Sequence, residues 1–230
     1  MAKKFSGFSP KLVKFLKDLK KNNNREWFQE HKPRYENDVL EPALDFIEAM
    51  AAPLEKFAPE FVAIPKRSGG SLMRVYRDTR FAKDKTPYKT NVGIQFRHEL
   101  GKNVHAPGYY FHIDPDNVFL AAGIWHPESA TLGKIRDAIV EIPAEWKKAR
   151  DNRTFKKHFA LEGDSLKRPP RGYDAEHKYI EDLKRKDFIA VKSLSHKAVY
   201  AEDVVKSVAG AFNAATPLMK FLCRASEVPY

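Results

Sequence analysis

One cysteine, Cys223, stands in 230 residues. This excludes an internal disulfide and any paired Cys-x-x-Cys redox or zinc motif, and it fits a reducing compartment. The residue sits in PLMKFLCRA beside Leu218, Phe221 and Leu222. That setting reads as helix packing, with no neighbour able to lower the thiol pKa. The sequence also lacks any stretch of about 18 uncharged apolar residues of the kind a membrane span needs. Its opening, MAKKFSGFSPKLV, lacks the apolar core of a secretory signal. The expectation is a cytoplasmic chain with no membrane partner. No glycine-rich phosphate loop, GxGxxG, HExxH or GxSxG string occurs, which removes the common nucleotide, zinc-protease and serine-hydrolase mechanisms. His98, His105, His112 and His126 match no standard metal spacing, so no metal is expected. The sequence names no cofactor.

Apolar material is plentiful: 43% of residues are hydrophobic, with 16 Phe and 9 Tyr. A chain of this size and composition can close one core, and a single domain over residues 1–230 is expected. Ser9 followed by Pro10 is a helix start, and Leu12, Phe15, Leu16 and Leu19 recur on one face. Asn22-Asn23-Asn24 closes this helix, and Asn24 caps a short one carrying Trp27 and Phe28. Pro33 opens a longer helix, which Pro42 should kink or divide.

From about Ser71 the period becomes alternating. SLMRVYRD, TNVGIQFRH, PGYYFHID and NVFLAAGIW read as four strands, and Asp114-Pro115-Asp116-Asn117 as the tight turn of a hairpin between the last two. Val92, Ile94 and Phe96 should share one sheet face, Gln95 and Arg97 the other. Helical spacing returns at residues 130–140, again at 145–159, and near 179–186. DFIAVKSL reads as a fifth strand, and residues 202–225 as helices interrupted at Pro217. The predicted fold class is α+β, an antiparallel sheet of about five strands packed by amino- and carboxyl-terminal helices.

The net charge of +11 is concentrated: residues 66–102 hold ten Lys and Arg against three Asp and Glu. Such a surplus attracts anions. Within it, Arg74, Arg77 and Arg80 supply planar forks, Lys85 and Lys89 point charges, and Tyr76 and Tyr88 hydroxyls and rings, an inventory suited to phosphate or carboxylate. A second basic cluster, LKRPPRGYD, adds Arg168 and Arg171 on a loop stiffened by two prolines. His112, next to tyrosines on a predicted strand, is the candidate general acid or base, with Asp78 a second candidate base. A hydrogen-bonded structural role for His112, and simple pairing of Asp78 and Asp84 with the surrounding cations, stand as the plain alternatives. SGGS at Ser68–Ser71 offers a turn or an anion nest.

Several unusual strings occur in order: NREWF at 24–28, RVYRDTRFAKDKTPYKTN at 74–91, GYYFHI at 108–113 and LKRPPRGYD at 166–174. With these the chain resembles, over nearly its whole length, the uncharacterised family called domain of unknown function 2461. The resemblance implies one domain and brings no activity with it. Function therefore rests on the residues. The leading reading is an anionic small-molecule site on the central sheet, with or without catalysis. The alternatives are a nucleic-acid-binding module using the same cations and aromatic rings, and a protein-interaction scaffold.

Overall fold

A six-stranded, wholly antiparallel sheet runs through the middle of the protein, in the order β1-β2-β3-β4-β6-β5. The structure is a computed structural model that describes residues 5–101 and 107–230; Lys102 and His105 lie outside the described residues. The strands are β1 (Phe61–Val62), β2 (Val92–His98), β3 (Gly108–Ile113), β4 (Val118–Ile124), β5 (Ala160–Glu162) and β6 (Phe188–Leu194). The α+β class is as the sequence implies, with short β1 and β5 added at the two edges.

Helix boundaries follow the capping chemistry. Ser9 accepts a hydrogen bond from the Lys11 amide at the start of Pro10–Lys21, and Asn24 Oδ1 accepts from the Trp27 amide, 2.9 Å away, at the start of Arg25–Glu30. The chain stays helical through Pro42 rather than dividing there. Lys32–Tyr35 passes through one wide π turn, Glu36–Leu40, into Glu41–Glu55. Pro42 falls just after that turn, where the loosened hydrogen-bond ladder leaves room for its ring. Residues 145–159 divide into Pro143–Arg150 and Arg153–His158, because Asn152 caps the second helix. Val204–Ala214 and Thr216–Ala225 are separated at Pro217, as expected.

Residues 71–78 differ from expectation. They are extended but join the sheet edge only through a single Leu72–Ile94 bridge and neighbouring amide bonds, Met73 N–H to the Gly93 carbonyl and Gln95 N–H to the Ser71 carbonyl. Beyond Val75 the chain leaves β2 and pairs with its own continuation at Tyr76–Tyr88, making a loose hairpin. Ser68–Ser71 is a turn, closed by Ser71 Oγ accepting from the Ile64 amide.

The two faces of the sheet have opposite fates. Val92, Ile94, Phe96, Tyr109, Phe111, Ile113, Leu120 and Phe188 point into one contiguous core shared with helices from both ends of the chain. The alternate residues point the other way. A hollow of about 710 Å³ opens over them, and among the described residues no helical one lines it.

Candidate functional site

Two glycines line the hollow, Gly108 of β3 and Gly123 of β4, and Gly93 of β2 lies on the same face, away from the helices. A strand glycine leaves no side chain standing on its face. At Gly93 an added Cβ would lie 2.7 Å from the Tyr110 hydroxyl; at Gly123, where φ is +133°, it would lie 2.0 Å from the Phe188 carbonyl oxygen. Around this floor stand Phe119 and Ala121 of β4, Ile189 and Val191 of β6, and Met73 from the extended edge.

Tyr110 and His112 supply the polar centre. The Tyr110 hydroxyl is 3.0 Å from His112 Nδ1, and the Asn91 amide nitrogen is 3.5 Å from the same atom. Burial pushes Tyr110 up to about 12, so its hydroxyl keeps its proton, and the Asn91 amide nitrogen, which can only donate, makes Nδ1 the acceptor. Burial pushes His112 below the ordinary histidine value, only partly opposed by the Asp114 charge, so the ring is neutral near pH 7. With Nδ1 accepting, the ring proton sits on Nε2, which makes no hydrogen bond among the described residues. The ring stacks on Phe119 at 4.6 Å and 16°. The centre thus presents a flat surface and one N–H donor, and its basic nitrogen is already engaged.

The basic segment is built differently. Arg77 hydrogen-bonds both Asp84 and Thr86. Arg80 grips Asp78 with a fork, Nε at 3.0 Å and Nη2 at 2.7 Å. The Arg80 side chain, then the Arg80 amide, hold the Asp78 carboxyl down to about 2, which leaves it a feeble base. The Lys85 ammonium donates to the Thr79 and Arg80 carbonyls. Tyr88 is a core residue, stacked on Phe28 at 4.0 Å with its backbone clasped by Asn23. Tyr76 is half exposed and tilts against Tyr88. Phe81 stands at the hairpin tip, 96% exposed. Arg74, Lys83 and Lys89 have no hydrogen bond or ion pair from their side chains among the described residues. Lys89 is half-buried, and burial, then the neighbouring Arg74 charge, lower its pKa.

Arg168 and Arg171 project from an exposed loop tied elsewhere. The Tyr173 hydroxyl donates to Asp137, 2.8 Å away, and the Leu166 amide to the Lys184 carbonyl. Among the described residues, Arg77, Arg80 and Lys85 are engaged within their own hairpin and Arg168 and Arg171 lie on a separate loop, while His112 sits in the hollow with Tyr110. Arg97, Phe119 and Trp125 went unselected in the sequence. The signal that could have found their face is the placement of Gly93, Gly108 and Gly123 inside otherwise bulky strands. Cys223 is buried, which raises its thiol to about 12 and leaves it inert. Among the described residues no group of three His, Cys, Asp or Glu could hold a metal ion, and no helix is long and apolar enough to cross a membrane.

No curated protein and no solved structure matches the chain. The family model described as a conserved hypothetical protein (DUF2461) matches residues 11–221, and the chain belongs to that family.

Proposed function

We propose that the protein binds a small organic molecule with a flat, apolar body and a hydrogen-bond acceptor, held in the hollow on the uncovered face of the sheet. The observation that carries this reading is the His112–Phe119 stack within a cavity of about 710 Å³, a size and character typical of ligand sites. The acceptor faces the Nε2–H of neutral His112. The same tautomer argues for binding over proton abstraction, because the imidazole offers a donor where a general base would offer a lone pair.

The test is to add 2-naphthol to the wild type and to Ala121→Phe, which plugs the floor of the hollow, and to follow saturation-transfer NMR signals. Binding to the wild type and its loss in the plugged variant, with an unchanged urea midpoint, is the expected result. Equal binding by both, or by neither, would overturn the reading.

A second reading keeps a smaller anion site. Lys89 and Arg74 are neighbouring cations without a carboxylate partner, and Lys89 is partly desolvated; an anion between them would relieve both penalties. This predicts stabilisation by inorganic phosphate that disappears in Lys89→Gln. A nucleic-acid surface has less support, since among the described residues Arg77 and Arg80 are spent on Asp84 and Asp78 and Lys85 is tied to backbone carbonyls, which leaves only Arg74, Lys83 and Lys89 with free heads, too few for a phosphate-tracking stripe.

A further inference from the structure

Strand register places one row of residues straight across the uncovered face. Glu162 of β5 lies opposite Ile189 of β6, Ile189 opposite Gly123 of β4, Gly123 opposite Gly108 of β3, and Gly108 opposite Arg97 of β2. Directly opposed residues share a face, so the row is a trough: an acid at one end, a guanidinium at the other, two glycines and one aliphatic residue between. Four strand steps of about 4.8 Å set the end residues about 19 Å apart at the backbone. Both side chains are long enough to shorten that span by leaning over the trough; Glu162 lines the hollow directly, and Arg97 meets it through Gln95, which lines it and accepts from Arg97 Nε.

Each end is prepared for a charged group. Arg97 is half-buried and steadied by a hydrogen bond from Nε to Gln95 Oε1 at 3.1 Å, a neutral group, and it has no acidic partner among the described residues. The Glu162 carboxylate has no hydrogen bond or ion pair among the described residues; nearby Arg185 donates to its backbone carbonyl and pairs with Asp182. Trp125, 57% exposed, lines the hollow at the Glu162 end, and an indole beside a carboxylate is a recognised setting for an organic cation.

That corner is held by a buried acid and by one non-glycine residue at positive φ. Buried Asp187 accepts from the amide of His126, next to Trp125, at 2.7 Å, and from the amide of Asp164, close to Glu162, at 3.0 Å. His126 has φ +48°, and Gly163, at φ +103°, packs so tightly that a Cβ would lie 2.5 Å from that of Asp187. Conformations of this kind persist where the surroundings enforce them, and they concentrate at ligand clamps.

We infer that the hollow takes a two-ended ligand, whose cationic end lies against Glu162 and Trp125 and whose anionic end lies against Arg97, with the apolar body over Gly123 and Gly108. This rests on the small-molecule reading of the hollow and specifies its ligand class.

Four probes sharing one ring test it by calorimetry: 4-(aminomethyl)phenylacetate, the cation 4-methylbenzylamine, the anion 4-methylphenylacetate, and neutral 4-methylbenzyl alcohol. The expected result is that the two-ended probe binds at least about tenfold more tightly than either singly charged one, and each of those more tightly than the alcohol. Glu162→Gln should remove only the advantage of the amine, and Arg97→Gln only that of the carboxylate, with unchanged urea midpoints as the folding control. Equal binding of all four, or an advantage that only one variant abolishes, overturns the two-ended ligand while the hollow stands. Binding of none overturns the hollow as well.

Discussion

The two faces of this sheet are built from the same strands and differ only in which alternate residues they carry. On the helix side, Phe111 and Leu120 interdigitate with Phe46 and other helix residues and are fully buried. On the other side, glycines stand where bulk would fill the gap, and Tyr110, His112 and Phe119 remain partly exposed. Close packing is what makes the first face stabilising; the shortage of partners on the second leaves its side chains available to something else. Stability and the proposed recognition are thus assigned to alternate positions of each strand.

The largest expected effect probes the contrast directly. Phe111→Ala should cost about 3–5 kcal/mol in urea unfolding, as a core cavity does. Phe119→Ala, from the neighbouring strand but the open face, should cost about 1 kcal/mol while abolishing 2-naphthol binding. Similar stability losses for the two would break the distinction between the faces. Next comes Gly123→Ala, which forces a Cβ onto the Phe188 carbonyl at positive φ. A loss of about 1–3 kcal/mol is expected from the backbone strain alone, and a neutral result would show that β4 can flatten and close the trough.

A smaller, pH-dependent effect comes from His112. Its folded-state pKa lies below the ordinary 6.5, so the unfolded chain takes up the proton first. The contribution to stability is complete above pH 6.5 and erodes as the pH falls toward the folded-state value. Burial lowers His158 in the same direction. Replacing His112 with Gln should therefore shrink, without abolishing, the drop in urea midpoint between pH 7.5 and 5.5; an undiminished drop would place the buried neutral imidazole elsewhere. Smallest of all, Arg80→Ala should leave the midpoint unchanged, because its pair with Asp78 is exposed. A clear loss there would make the basic hairpin a structural element rather than a solvated one.

Much of the architecture was legible in the sequence because alternation and capping are local. The four long strands, the Asp114–Asn117 turn and the Ser9 and Asn24 caps all follow from neighbours along the chain. The edge strands β1 and β5, of two and three residues, are too short to carry a period. Residues 71–78 carry one, yet their alternation is spent on leaving the sheet. The candidate site was less legible. His112 and Tyr110 stood out together, but a basic run does not disclose that Asp78 and Asp84 engage its own arginines. Nor can Phe119 or Val191 announce that no helix covers them, since that is a property of distant segments.

The single π turn at Glu36–Leu40 adds one residue to an otherwise regular winding, and Glu41 donates to Glu36 across it. Everything downstream in that helix is rotated by about 100° relative to what an unbroken α-helix would present. Phe46, Ile47 and Met50 are buried in the phase that this turn sets, with Phe46 packed on Phe111 of the sheet. Excising one residue there would perfect the helix locally and aim its apolar stripe at water.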